Sequence, residues 1–196
     1  MLASITPLGE RGRHGRWGIT VTAFILGATI AGAALGAVAG ELGAVALPGS
    51  FDLAARRAAL AVLALGAVAL DARADRVPGP RRQVNEDWLL AFRGWVYGLG
   101  YGAQLGPGIT TVVSSAALYF ALVAAVATGE PARGALVLGC FGAVRGLTLL
   151  IAAGVQRPEQ LIALHARLWQ WRGPARGASV AVLATITAAA LVGALA

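Results

Sequence analysis

The amino-acid sequence predicts an all-α integral membrane protein, a helical bundle of about five transmembrane helices. Of its 196 residues, 58% are hydrophobic and only 13% are charged, whereas soluble domains are roughly 25% charged. Apolar runs of about twenty residues, the length that an α-helix needs to cross a bilayer, alternate with short segments that contain Pro, Gly and Arg. We therefore expect one transmembrane domain over residues 1–196, with spans at about 17–40, 52–70, 95–128, 134–154 and 178–196.

The first predicted span, residues 17–40, follows a polar and basic segment, residues 1–16. A basic segment before an apolar run superficially resembles a signal peptide. The apolar core of a signal peptide is about 7–15 residues long, and this run is longer and lacks a persuasive cleavage boundary. We therefore expect the span to be retained in the mature protein.

Three glycines of the first span repeat at intervals of four residues: Gly32, Gly36 and Gly40. Small residues at this spacing leave a flat strip on one face of a helix, so another helix can approach closely. We expect helix packing at this strip. The apolar centre of the second span, 52–70, is short, and we expect Arg56 and Arg57 to extend toward the lipid headgroups.

Two interfacial amphipathic helices are predicted on the cytoplasmic side, between the spans. In residues 83–95, apolar residues recur at helical spacing, and Trp88, Phe92 and Trp95 suit the depth of the lipid headgroups. The second helix begins at Pro158. Its apolar residues again share one face: Leu161, Leu164, Leu168 and Trp171.

The third predicted span, residues 95–128, is both too long and interrupted. As one helix its 34 residues without a formal charge would be about 50 Å long, against about 30 Å for a bilayer core. The sequence Gly106-Pro107-Gly108 lies in its middle, and proline inside a helix removes a backbone hydrogen bond. We expect a break there, followed by a full-length second half over 109–128. Since the freed backbone groups need protein or water around them, this span is the predicted functional centre.

Arg145 is the most informative single residue of the chain. It lies near the middle of the span 134–154, where a charge is costly and needs a partner. The predicted span interiors contain no Asp or Glu. Two interpretations remain open: Arg145 donates hydrogen bonds to carbonyls freed at the Pro107 break, or it binds an anionic substrate beside the half-helix that starts at Gly108.

The predicted substrate-binding residues surround the break and Arg145. They are Tyr101, Gln104, Gly106, Pro107, Gly108, Thr110, Thr111 and Arg145. The glycines of this half-span, Gly98, Gly102 and Gly106, have two interpretations: close packing against the glycine strip of the first span, or room for a substrate.

The sequence favours a protein that is not an enzyme. It has no catalytic triad, carboxylate pair, phosphate-binding loop or metal-ligand spacing, so we expect no catalytic residues, no metal and no cofactor. The single cysteine, Cys140, excludes an intrachain disulfide and a Cys-x-x-Cys centre. It lies in an apolar run and is expected to be a buried, inert thiol.

The positions of the arginines predict the orientation in the membrane. All sixteen basic residues are Arg; twelve fall in the N-terminal segment and the two amphipathic loops, and three fall on the opposite side. Because cytoplasmic loops are rich in Lys and Arg, we expect a multi-pass protein of the bacterial cytoplasmic membrane with a cytoplasmic N-terminus and an external C-terminus. The net charge of +7 is explained by orientation, and no nucleic-acid partner is expected.

The Gly-rich, Pro-broken stretch from Gly98 to Thr111 resembles the hinge segments of small bacterial transporters in the CcdA and sulfite-exporter group. The sequence Phe141-Gly142-Ala143-Val144-Arg145-Gly146 is similar to small polytopic membrane proteins sometimes grouped with them. The resemblance implies a transport-related membrane fold. CcdA-type electron carriers use a pair of membrane cysteines, and the broken segment here contains none, so thiol electron transfer is not implied.

These observations lead to three functional hypotheses. The first is a transporter-like protein that handles a small anionic solute at a midplane site formed by Arg145 and the Pro107 break. The second is an accessory or assembly subunit, without catalytic activity, of a larger membrane complex. The third is a redox-partner membrane protein. The expected partners are the lipid bilayer, further copies of the chain or a larger membrane complex, and a small anion.

Overall fold

A computed structural model describes residues 5–47, 53–73, 87–108 and 116–195 of the chain. These residues form helices and connecting turns, with no β-strand among them. In chain order the helices are α1 (Pro7–Gly12), α2 (Trp17–Ala46), α3 (Leu53–Arg73), α4 (Trp88–Ala91), α5 (Gly94–Leu105), α6 (Ala117–Thr128), α7 (Pro131–Leu147), a 3₁₀ helix (Thr148–Ala152), α8 (Pro158–Gln170) and α9 (Arg172–Leu195).

Helix α2 lies at the centre of the fold, and α5, α6 and α7 all pack against it. Helices α5 and α6 follow one another along α2 in the same direction, since Gly98 contacts Thr20 near the start of α2 and Val126 contacts Gly43 near its end. Helix α7 returns in the opposite direction. The predicted functional centre, residues 95–128, is therefore not the central element of the fold. Its helices α5 and α6 pack along the uninterrupted α2.

The predicted glycine strip of the first span is confirmed as a packing surface. A Cβ added to Gly36 would lie 2.1 Å from the carbonyl oxygen of Gly134, and one added to Gly32 would lie 2.4 Å from that of Leu138. Real Cβ atoms do not approach a backbone oxygen this closely, so the strip lets the backbones of α2 and α7 touch.

The glycines of α5 also serve close packing, at another part of α2. A Cβ on Gly98 would lie 2.5 Å from the carbonyl oxygen of Thr20, and one on Gly102 would lie 2.1 Å from that of Phe24. Gly106 meets the backbone of Ala28 in the same way. Of the two interpretations, the structure therefore favours packing, but the partner surface is not the strip at 32–40.

The predicted interruption of the third span is confirmed. Helix α5 ends at Leu105, and Gly108 adopts a left-handed conformation with φ of +72°. The second half was predicted to start at residue 109; residues 109–115 lie outside the described ones, and α6 begins at Ala117. The described helices α5 and α6 have 12 residues each and are about 18 Å long, which is shorter than a bilayer core of about 30 Å.

Helices α3 and α9 pack against one another, and Asp71 joins them to α6. The carboxylate of Asp71 accepts a hydrogen bond from the amide of Ala116 at 2.7 Å, next to the start of α6. Arg176 of α9 donates from Nε to the backbone carbonyl of Asp71. Asp71 and Arg176 lie outside the predicted spans 52–70 and 178–196, whereas in the structure both lie within helices and Asp71 is buried.

The two predicted amphipathic helices differ in outcome. The second begins at Pro158 as expected and runs to Gln170, with Leu161 half-buried and Ile162 exposed. The described part of the first contains the single turn α4, which ends before α5 because Phe92 is extended. Residues 83–86 of that prediction lie outside the described residues.

Among the residues that the structure describes, two helices are long and apolar enough to cross a membrane: α2, and the continuous segment Pro131–Ala152 formed by α7 and the 3₁₀ helix. Within the described chain, the apolar parts of α3 (Ala58–Asp71) and α6 are shorter. The prediction of an all-helical protein is confirmed in this part of the chain. These two helices do not by themselves confirm the predicted arrangement of five spans.

Candidate functional site

A buried carboxylate, Glu10, lies where α1, α2 and α5 meet. Helix α1 forms because Thr6 caps it, accepting a hydrogen bond from the amide of Gly9 at 3.0 Å, and Pro7 occupies its first turn. This short helix places Glu10 in the interior, where only 1% of it is exposed. A buried carboxylate is stable only when charges or hydrogen bonds compensate it, and the surroundings of Glu10 supply both.

Three side chains donate hydrogen bonds to the Glu10 carboxylate. Arg13 Nη2 lies 2.9 Å from Oε1, Thr20 Oγ1 of α2 lies 3.0 Å from Oε2, and the Tyr97 hydroxyl of α5 donates to Oε1. Burial lowers the pKa of Arg13, but its contacts with Glu10 and Tyr97 outweigh this effect and hold the pKa above its ordinary value. Arg13 is therefore a cation, and the cluster combines one positive and one negative charge.

Two glycines make room for this cluster. A Cβ on Gly15 would lie 2.2 Å from Glu10 Oε2, and a Cβ on Gly94 would lie 2.5 Å from Thr20 Oγ1. A side chain at either position would displace a side-chain atom of the cluster from its place.

The sequence does not predict the Glu10 cluster, because residues 1–16 have the composition of a polar and basic segment. A local signal was present: Thr6 followed by Pro7 is typical of the start of a helix. That signal predicts α1, but it does not predict the contact with Tyr97, which is 87 positions away in the sequence.

A cavity of about 170 Å³ lies beside the cluster, between α2, α7 and the end of α5. Its lining is mostly apolar and includes one cationic side chain. The lining residues are Ile5, Phe24, Leu105, Gly106, Arg145, Thr148 and Leu149. We call it the Arg145 cavity.

The structure brings Arg145 next to the predicted break. Its Nη1 atom lies 2.8 Å from the position that a Cβ on Gly108 would occupy, and its guanidinium carbon lies 5.9 Å from the centre of the Phe141 ring. Residues 109–115, which follow the break, lie outside the described chain. Within the described residues, the Arg145 side chain makes no hydrogen bond or ion pair, so neither interpretation of its role is established there.

The other predicted site residues have different surroundings. Gly106 lines the cavity, and Pro107 and Gly108 are buried beside it. Tyr101 belongs to the interior, where its ring stacks on Trp88 with centroids 5.9 Å apart.

Gln104 is half-buried in α5 and is not among the residues that line the cavity. Thr110 and Thr111 lie outside the described residues. The structure thus groups Arg145 with 106–108, and a binding role for these residues stays a prediction.

The sequence of this chain is similar to those of one group of curated proteins. It is 37% identical over 130 residues to methylamine utilization protein MauF of Paracoccus versutus, covering 65% of this chain and 46% of that protein. It is 32% identical over 160 residues to MauF of Methylobacillus flagellatus, covering 76% and 55%. MauF of Paracoccus denitrificans is 37% identical over 131 residues, covering 63% and 47%. This chain is similar to MauF proteins.

The similarity extends over most of this chain, but the chain spans about half the length of the curated relatives it matches. No protein-family model and no solved structure matches it. The name of the MauF relatives refers to the utilization of methylamine. The prediction of a transporter-like protein for a small anionic solute is therefore wrong.

Proposed function

We propose that this chain is a membrane-embedded accessory protein of methylamine utilization, acting on other components of that process through its folded helices. The observation that carries the proposal is the identity of 32–37% to MauF proteins over 130–160 residues. This length includes far more than one apolar helix, so composition alone does not account for it.

The charges of the candidate site support an accessory role over binding of methylamine itself. Methylamine is a primary alkyl amine like the lysine side chain, and such amines are protonated at neutral pH. The Arg145 cavity presents a positive charge, which repels that cation. The Glu10 carboxylate would attract it, but Glu10 is already paired with Arg13. Neither of these two sites in the described part of the chain is suited to hold methylammonium, which favours an accessory role over uptake of the amine.

The proposed number of spans and orientation of the chain in the membrane follow from the helix packing and the arginine distribution. We propose five spans in the bacterial cytoplasmic membrane, with α5 and α6 together forming the third, because they follow one another along α2. A cytoplasmic N-terminus and an external C-terminus are supported by the twelve arginines on one side and the three on the other.

We further propose that the chain works beside other membrane proteins, either further copies or a larger complex. Large apolar side chains are exposed on the outer surfaces of the helices, for example Ile30 at 62% and Leu136 at 68%. Lipid and neighbouring helices are both suited to cover such surfaces. The resemblance of the stretch from Gly98 to Thr111 to the CcdA and sulfite-exporter group stays a prediction. It implies no transport activity for this chain.

The proposal predicts a growth defect that is specific to methylamine. Deletion of the gene in its native host should abolish growth on methylamine and leave growth on succinate with ammonium unchanged, because only methylamine utilization needs the protein. Growth rates on the two media measure the effect. A plasmid copy of the gene should restore growth, and normal growth of the deletion strain on methylamine would overturn the proposal.

Cysteine labelling in whole cells tests the orientation. Cys140 is exposed on α7, contrary to the buried thiol that the sequence predicted, so it is first replaced by alanine. In this background, Arg133→Cys should react with a membrane-impermeant maleimide in intact cells, because Arg133 lies at the proposed external end of α7 and its side chain is 71% exposed. Arg157→Cys should react only after the membrane is permeabilised. The reverse pattern would show that the orientation is wrong.

A further inference from the structure

We infer that residues 5–15 form a plug that closes one side of the Arg145 cavity, and that the Glu10 carboxylate holds this plug in place. The inference does not depend on the proposed function, because it concerns only access to the cavity. It rests on three observations: one wall of the cavity belongs to this segment, the helix of the segment is short, and the Glu10 carboxylate binds two different helices of the bundle.

The wall is supplied by Ile5, which is 1% exposed and lines the cavity together with Phe24 and Leu149. Its carbonyl accepts a hydrogen bond from Trp17 Nε1 at 3.4 Å, at the start of α2. Removal of this one segment therefore takes a side chain out of the cavity wall, while Phe24 and Leu149 stay on their own helices.

The segment packs on the bundle through the Ile5 side chain, which belongs to the core cluster around Phe24 and Tyr97, and its helix adds little stability of its own. Helix α1 has six residues, too few to be stable by itself in water. The amide of Leu8 donates to the carbonyl of Val155 at 3.1 Å, and the bond from Arg11 to Gln156 is exposed, where polar contacts contribute little.

Glu10 provides a buried polar attachment. Its carboxylate accepts from Thr20 of α2 and from Tyr97 of α5, so one side chain of the plug bridges two helices that form the body of the fold. Because α2 and α5 also contact each other directly through Gly98 and Gly102, their packing does not depend on Glu10. Loss of Glu10 should therefore release the plug and leave the bundle assembled.

The rate at which a thiol inside the cavity is modified tests this inference. In a Cys140→Ala background, Leu149→Cys places a thiol in the cavity wall, and the full-length protein in detergent is treated with a water-soluble maleimide. We expect Glu10→Ala to increase the labelling rate about tenfold or more, because opening of a locally stabilised segment controls access to buried sites. Leu138→Cys, a position of α7 that is only 1% exposed and lies outside the cavity lining, should be labelled at the same rate with and without Glu10→Ala.

A pair of glycine variants gives an independent test with a matched control. Gly15→Ala places a Cβ 2.2 Å from Glu10 Oε2 and should displace the carboxylate, so that it increases labelling of Leu149→Cys as Glu10→Ala does. Gly18→Ala is the control, since a Cβ there meets no atom within 4 Å, and it should leave the rate unchanged.

Equal labelling rates in the parent protein and Gly15→Ala would overturn the inference. So would an increase at Leu138→Cys of the same size as at Leu149→Cys, because the Glu10 cluster would then hold the whole bundle and not a separate plug. Should Glu10→Ala fail to fold, the comparison of Gly15→Ala with Gly18→Ala decides the question.

Discussion

Replacing Gly36 with alanine is expected to destabilise the protein by roughly 1–3 kcal/mol, the usual cost of overpacking a tight interior. The new Cβ would lie 2.1 Å from the carbonyl oxygen of Gly134. This oxygen belongs to the backbone of α7, so no side-chain rotation can relieve the contact and the two helices must separate. The separation weakens the neighbouring contacts at Gly32 and Gly40 as well. Thermal unfolding in detergent, followed by the loss of helical circular dichroism, measures the effect.

Gly66→Ala in α3 is the matched control for this prediction. It makes the same chemical change within a helix, but its Cβ meets no atom within 4 Å. The higher helix propensity of alanine should therefore stabilise the protein, by up to about 1 kcal/mol. Equal changes in melting temperature for Gly36→Ala and Gly66→Ala would show that α2 and α7 do not touch in the way described.

Replacing Asp71 with alanine is the second change with a large expected effect. The Asp71 carboxylate accepts the hydrogen bond of the Ala116 amide in a buried position, and an amide left without an acceptor costs roughly 1–3 kcal/mol. The loss should loosen the packing of α3 against α6. Denaturant unfolding should show lower stability for Asp71→Ala, whereas Glu41→Ala, at an exposed position of α2, should have little effect.

Asp71→Asn separates the hydrogen bond from the charge. The asparagine side chain keeps a carbonyl oxygen that can accept from the Ala116 amide, so this variant should retain more of the stability than Asp71→Ala. If Asp71→Asn is as destabilising as Asp71→Ala, the negative charge and not the hydrogen bond holds α6.

The sequence predicted those features of the fold that depend on local patterns. The helical class, the end of a helix before Pro107 and the packing role of Gly32, Gly36 and Gly40 all follow from composition, proline geometry and the spacing of small residues. Each of these effects acts within a few residues of the chain, so periodicity alone is enough to detect it.

The features that were missed depend on contacts between distant residues. Glu10 meets Tyr97, and Asp71 meets Ala116, across 87 and 45 positions of sequence. Composition placed both acidic residues in polar segments, where exposure is usual. Only the three-dimensional arrangement of α2, α5 and α6 makes them buried acceptors, and no local pattern of one sequence specifies that arrangement.

The sequence predicted that Arg145 lies close to the helix break, and a binding role for the residues there stays a prediction. Arg145 does lie beside Gly106 and Gly108, as the hydropathy pattern and the proline suggested. The conclusion of anion transport followed from a buried cation near a helix break. The similarity to MauF proteins, which a single sequence does not contain, corrects that conclusion.

The central proposal, an accessory protein of methylamine utilization, is tested most directly by methylamine-oxidising activity in extracts of broken cells from the deletion strain. In an extract no membrane separates methylamine from the enzymes that use it. We predict that the deletion strain lacks this activity and that a plasmid copy of the gene restores it. Full activity in the extract of a strain that cannot grow on methylamine would contradict the proposal, because the defect would then lie in the entry of methylamine into the cell.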